Sequence, residues 1–241
     1  MSNNQIKYQG RLMMETVVIT GANRGIGLAL TKRFLQLEKH VIATCRDVNN
    51  AEQLQALSYY GKLTISPLEV TDAQSVTIFC KQLCDYKIDI LINNAGIIGG
   101  AEQSTDNMDY GHWLETFSVN TLAPFRLSSA LKANLLLSEN PRIVTISSLM
   151  ASLIGEGQGS YAYRSSKAAL NKVMQVMAME YKANKIIVCP IHPGWVITDM
   201  GGRDADISVE ESTAGLVKLI NGLTLKQSGR FWQWDGKELD W

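Results

Sequence analysis

Tyr163 and Lys167, in the stretch YAYRSSKAALNKV, are the two residues of this chain best suited to moving a proton. On a helix, side chains four positions apart share one face, one turn above the other. An ammonium held beside a phenol favours the phenolate, which brings a group of ordinary pKa about 10 nearer to neutrality. A half-buried ring beside a solvated amine is the competing reading, so the pair gains weight only from its company. That company includes Ser148, at the end of the β-branched run RIVTISS. In a regular strand Ser147 and Ser148 point to opposite faces, so at most one hydroxyl reaches the site. Asn120 is a further candidate, because Pro124 lies four residues later inside a helix expected over residues 108–137. Proline has no N–H and crowds the carbonyl four residues earlier, which leaves the Asn120 carbonyl open to a water or a side chain.

The elements that must position these groups begin at Thr16. The run TVVIT reads as a strand buried on both faces, and it leads through GANRGIG into a helix with apolar residues Ile26, Ala29, Leu30, Phe34 and Leu37 at a 3.6 period. Strand, glycine turn and helix together form a phosphate-binding arrangement. Gly21 permits the tight turn, Gly25 lets a pyrophosphate approach the backbone, and Gly27 lets the helix pack closely, with the positive helix end facing the phosphates. The spacing T-G-x-x-x-G-x-G departs from the G-x-G-x-x-G form while keeping its mechanism. The next strand, HVIATC, ends at Arg46, where many dinucleotide-binding sheets carry an acid for the ribose hydroxyls. An arginine there can pair with a 2′-phosphate, and Arg24 adds a second positive charge, so NADPH is preferred over NADH.

Further strands deliver more residues to the same edge. Glu69 and Val70 follow a strand over residues 63–66, where an adenine could rest. The run IDILI delivers Asn93, Asn94, Ala95 and Gly96, whose amides can stitch strand ends together or line the crevice. A sixth strand, KIIVCP, leads into HPGWVITDMGG, where Pro193 and Gly194 make a rigid turn and Gly201 and Gly202 could hinge a lid. Between these lie helices expected at 51–57 and 72–84. Ser208 and Glu211 read as a capping box for a helix running to Asn221. GRFWQWDGKELDW is expected to close the chain as one last strand.

The totals narrow the class. A chain of 241 residues, 46% hydrophobic and without a Pro/Gly/Ser-rich linker, suits one domain over residues 14–241. Residues 1–13 read as a disordered leader, and either Met13 or Met14 could be the start. Equal basic and acidic counts, 23 each, provide no stripe for nucleic acid and no patch for a membrane. No apolar run approaches the roughly 18 residues of a membrane span, so a cytoplasmic location is the default. The four cysteines lack metal-ligand spacing, and Cys80 and Cys84 are expected to be buried thiols on one helix face. The three histidines are scattered, and no metal is expected.

Taken in order, T-G-x-x-x-G-x-G, N-N-A-G, Ser148, Y-x-x-x-K and P-G resemble the short-chain dehydrogenase/reductase family from Thr16 onward. YAYRSSKAALN, HPGWVITDMGG and the DGKELDW tail look like its C-factor and sniffer-type carbonyl reductases. The resemblance implies a doubly wound, seven-stranded parallel α/β sheet of the Rossmann type with helices on both faces. It implies Tyr163 as general acid/base, Lys167 as the group that lowers its pKa and holds the nicotinamide ribose, and Ser148 as hydrogen-bond partner of the substrate oxygen. Asn120 would anchor a water in the proton relay. Gly21, Asn23, Arg24, Gly25, Ile26 and Gly27 would hold pyrophosphate and ribose, with Arg46 on the 2′-phosphate and Glu69 and Val70 at the adenine. Asn94, with Ala95 and Gly96, would contact the adenosine side, and Pro193, Gly194, Val196 and Thr198 the carboxamide and phosphates. Two departures stand out: Glu69 replaces the family's usual aspartate, and the interval from Ser148 to Tyr163 is slightly long. Tyr161 would suit that interval better, but four residues beyond it is Ser165. The implied activity is NADPH-dependent reduction of a hydrophobic aldehyde, ketone or quinone, by a chain that pairs as a homodimer. The alternative is an NADP(H)-binding signalling or sensor protein with little turnover. NAD-dependent alcohol oxidation is disfavoured by Arg24 and Arg46.

Overall fold

The computed structural model describes residues 14–241 and contains the strands β1 (Thr16–Thr20), β2 (His40–Cys45), β3 (Leu63–Pro67), β4 (Ile90–Asn93), β5 (Arg142–Ile146), β6 (Ile187–His192), β7 (Phe231–Gln233) and β8 (Glu238–Leu239). They form one sheet in the order β3-β2-β1-β4-β5-β6-β7-β8, parallel throughout except for β8, which pairs antiparallel with β7. The chain runs outward from β1 to β3, then returns to lay β4 against the other side of β1. The order therefore reverses between β1 and β4, which opens a crevice beyond their carboxyl ends. The expected leader at residues 1–13 lies outside the described residues.

Alternation along each strand builds two cores. Val17 and Ile19 of β1 face a cluster with Leu30, Phe34, Leu216 and Ile220, whereas Val18 faces Phe79, Leu127, Leu170 and Met174. A strand buried on both faces needs helices on both, and these are α1 (Gly25–Gln36) and α8 (Val209–Gly222) on one side. On the other lie α3 (Ala73–Gln82), α5 (Ala123–Ala130) and α7 (Tyr161–Glu180). The short α2 (Glu52–Gln55) runs on into a 3₁₀ turn, Ala56–Tyr60. No described helix is long and apolar enough to cross a membrane.

Several boundaries differ from the sequence reading, each for a local reason. The helix expected over 108–137 is α4 (Tyr110–Phe117), a π turn (Ser118–Leu122), α5 and, after a break at Leu131, α6 (Lys132–Leu135). Pro124 cannot donate to Asn120, and the ladder widens before it: the Ala123 N–H reaches the Ser118 carbonyl, five residues back. The tail folds into a β7–β8 hairpin where one strand was expected, turning at Asp235 and Gly236. At α8 only half of a capping box is present, the Glu211 N–H donating to Ser208 Oγ at 3.1 Å. Cys84 lies past the end of α3 and is exposed, so the expected pair of buried thiols is not formed.

Candidate active site

Ser148, Tyr163, Lys167 and Asn120 meet beyond the carboxyl end of β5. Ser147 and Ser148 diverge as alternation requires. Ser147 Oγ donates to Asn171 Oδ1 at 2.6 Å in the interior, while Ser148 turns to the Tyr163 phenol and accepts the Met150 N–H at 3.2 Å. Tyr163 lies in the first turn of α7. Burial pushes its phenol above the usual value, opposed by hydrogen bonding from Ser148. Lys167 follows one turn later, its Nζ 5.9 Å from the Tyr163 ring centre and donating to the Ile146 carbonyl at 2.7 Å. Burial lowers the Lys167 amine to about 8.

The pair shares a face, and burial is the largest influence on each of the two pKa values. Lys167 is buried and Tyr163 half-buried, and an apolar surround disfavours each charge, phenolate and ammonium alike. At neutral pH the phenol stays protonated.

Asn120 is fully buried, and its side chain has more partners than the sequence suggested. Oδ1 accepts the Ile97 N–H at 2.9 Å; Nδ2 donates to the Ile97 carbonyl at 2.8 Å and to Ser166 Oγ at 3.0 Å. It thus ties the loop after β4 to α7, one residue from Lys167. Gly96 makes room for this, since a Cβ there would stand 3.3 Å from Asn120 Oδ1 and 3.5 Å from Lys167 Nζ.

The glycine turn lies across the crevice. Gly21 and Gly25 have φ of +63° and +53°, in the region that favours glycine. A Cβ on Gly27 would stand 2.3 Å from the Gly21 carbonyl oxygen and 2.5 Å from Asn94 Nδ2. Asn94 is chiefly a stitch: Nδ2 donates to the carbonyls of Thr20 and Gly21, and its N–H and that of Ala95 donate to Thr20 Oγ1. Thr198 faces the turn, 3.6 Å from where a Gly25 Cβ would be, and Arg24 at the turn pairs with Asp199 at 3.2 Å. Asn23 and Ile26 are half-buried on the same turn. Glu69 is partly engaged, its Oε1 accepting from the N–H and Oγ1 of Thr71, and Val70 follows it past β3.

Beyond β6, Pro193 is held by Ser212, whose Oγ donates to its carbonyl at 2.6 Å, and Gly194 turns at φ +89°. Val196 pairs with Ile207 and Thr198 with Gly202, which makes residues 195–207 a folded flap. Gly201 serves a close approach there, since a Cβ would stand 2.0 Å from the Val196 carbonyl oxygen.

Two positions escaped the sequence reading. Gln103 donates through Nε2 to the carbonyls of Ile98 and Gly100, and its Oε1 accepts the Tyr163 N–H at 3.3 Å. Ser160, which precedes α7, has φ +50° and makes no side-chain cap, so Gln103 caps α7 from a remote loop. Trp241 accepts from the loop after Ser148. No local pattern marks either residue, because both act through contacts remote in sequence.

Residues 15–206 match the short chain dehydrogenase family. The chain belongs to that family. Among its relatives, C-signal of Myxococcus xanthus is 38% identical over 164 residues, 68% of this chain and 98% of that protein. The NADPH-bound carbonyl reductase from chicken fatty liver superposes with a TM-score of 0.88 at 37% identity, over 95% of this chain and 99% of that one. Carbonyl reductase Sniffer of D. melanogaster gives 0.89 at 31%, over 95% and 100%.

A short-chain dehydrogenase of this kind implies a dinucleotide at the crevice, and the residues present fit one. The helix α1 begins without a side-chain cap and without an acidic residue in its first turn, so its N-terminal N–H groups are available to an anion. Arg46 is exposed at the end of β2 and makes no ion pair among the described residues.

Proposed function

We propose that this chain is an NADPH-dependent reductase of aldehydes, ketones or quinones. The observation that carries the reading is the convergence of Ser148, Tyr163 and Lys167 at one strand end, with the phenol buried and protonated. A reductase needs its acid charged with a proton at the outset, and burial of Tyr163 provides that state. NADPH, when bound, supplies the hydride. Tyr163 gives its hydroxyl proton to the substrate oxygen, while Ser148 hydrogen-bonds that oxygen as negative charge develops on it. Lys167, anchored on the Ile146 carbonyl, keeps a positive charge beneath the phenol and favours its transient phenolate. Arg46 and Arg24 hold the 2′-phosphate, and the turn from Gly21 to Gly27 takes the pyrophosphate.

The NADPH bound by the chicken reductase supports the choice of cofactor, as do the two arginines. Exposed Ile98, Trp195 and Met200 around the crevice favour a hydrophobic carbonyl compound. Exposed Tyr110 and Leu114 of α4 with Val176 and Met179 of α7 favour a homodimer through these helices. The cytoplasm is the proposed compartment.

The test is optical: NADPH oxidation against aromatic aldehydes, quinones and diketones, with NADH and Tyr163→Phe as controls. Turnover should prefer NADPH and fall about 10²-fold or more in the variant, the usual scale of general acid catalysis. Undiminished turnover in Tyr163→Phe would remove the assignment. The likeness to C-signal favours a second reading, an NADP(H)-binding signalling protein. Tight NADPH binding with no turnover across the panel would move the weight to it.

A further inference from the structure

The loop over residues 149–160 joins the two catalytic hydroxyls, with Ser148 at one end and Tyr163 just beyond the other. Its first turn, the 3₁₀ segment Leu149–Ala151, is capped by Ser148 itself: Oγ accepts from Met150 at 3.2 Å and the carbonyl accepts from Ala151 at 2.9 Å. Ser152 closes the turn, its N–H donating to the Leu149 carbonyl at 3.0 Å, and its hydroxyl and the Leu153 N–H point away from it. They reach to the other end of the chain, where the backbone oxygen of Trp241 accepts the Leu153 N–H at 3.1 Å and Ser152 Oγ at 3.3 Å. The Trp241 indole is stacked on Phe231 at 6.0 Å and 24° between planes, and Phe231 is fully buried in β7. The β7–β8 hairpin thus brings the tail back across the sheet to the start of this loop. The side chains of the anchored Leu153 and of Ile154 after it are exposed to 84% and 71%. These two apolar side chains project from a loop whose ends are both catalytic.

We infer that Trp241 is a positioning residue: it fixes the loop between Ser148 and Tyr163, and so sets Leu153 and Ile154 as the wall against which the non-reacting, apolar part of a bulky carbonyl substrate packs. This rests on the reductase reading for its substrate, though not for its geometry. A small aldehyde, which does not extend to that wall, is indifferent to the anchor. Binding energy from a remote part of a bulky substrate is gained only if the wall is already in place.

The test compares Trp241→Ala with Trp241→Phe, which keeps an aromatic ring for the stack on Phe231. Hydrogen exchange at the Leu153 amide, in protein without any carbonyl substrate, should quicken about tenfold in Trp241→Ala, the scale of one lost aromatic contact with its loosened hydrogen bond. For a bulky aromatic diketone KM should rise about tenfold with kcat within about twofold, because binding and not the chemical step is lost. KM for a small aldehyde and the affinity for NADPH should stay as in wild type, and Trp241→Phe should restore both exchange and KM. Ser152→Ala leaves the tail in place and removes one of the two donors, so it should move exchange and KM the same way by a smaller factor. It decides the matter if Trp241→Ala does not fold. Unchanged Leu153 exchange, or an equal rise in KM for both substrates, would overturn the inference. If the wild type reduces no carbonyl, the reductase reading fails on its own, and the exchange experiment still decides the role of Trp241.

Discussion

His192 makes the chain's stability depend on pH in a way that can be worked out in advance. It ends β6, where its Nδ1 is buried without a hydrogen-bond partner among the described residues. Burial lowers its pKa from 6.5 to about 4, with Asp235 opposing. A histidine held neutral in the folded chain and free to protonate in the unfolded one destabilises the fold as pH falls. The contribution is intact above pH 6.5, declines between 6.5 and about 4, and levels off below. The gap between those two values corresponds to about 3 kcal/mol in full, of which about 2 kcal/mol is lost by pH 5. That is a large part of the roughly 5–15 kcal/mol that holds a domain folded. Carboxylates titrate over the same range, so the assay is a difference: urea unfolding of wild type and His192→Gln, without cofactor, from pH 8 to pH 5. Glutamine does not titrate, so the wild type should lose about 2 kcal/mol more than the variant over that interval. Parallel pH profiles for the two proteins would refute the claim that a buried neutral imidazole is present.

The glycine turn and the arginine beside it yield two further outcomes. Gly27→Ala should cost about 1–3 kcal/mol of stability and weaken NADPH binding, because the new methyl overlaps the Gly21 carbonyl and the Asn94 amide. A wild-type melting temperature in that variant would show that the turn relaxes without cost. Arg46→Ala should raise the Kd for NADPH about 10–100-fold, the scale of a charge-assisted hydrogen bond, and leave that for NADH unchanged. Equal weakening of both cofactors, measured by calorimetry, would mean that Arg46 does not read the 2′-phosphate.

The strands and the glycine turn were legible because their causes are local. β-Branched apolar runs bounded by turn residues can bury only as strands, so TVVIT and HVIATC coincide with β1 and β2 residue for residue. Gly21 and Gly25 are needed for their backbone angles, which depend on little beyond the turn itself. The alternation that parts Ser147 from Ser148 is a property of one strand. The spacing of Tyr163 and Lys167 says that they share a face, whereas the depth at which the fold buries them, which shifts both pKa values, is not local and leaves no mark in that spacing.

Contacts between distant segments carry no such signature. Pro124 points in the sequence to the Asn120 carbonyl, yet the Asn120 side chain makes three hydrogen bonds to residues 23 and 46 positions away. Asn94 serves Thr20 and Gly21 across the sheet, Gln103 caps α7 from another loop, and Trp241 holds residues nearly ninety positions back. A sequence determines which segments become strands and helices, because propensity and periodicity act over a few residues. Which side chain meets which backbone group across the crevice is decided only when the strand order reverses beside β1 and packs those segments edge to edge.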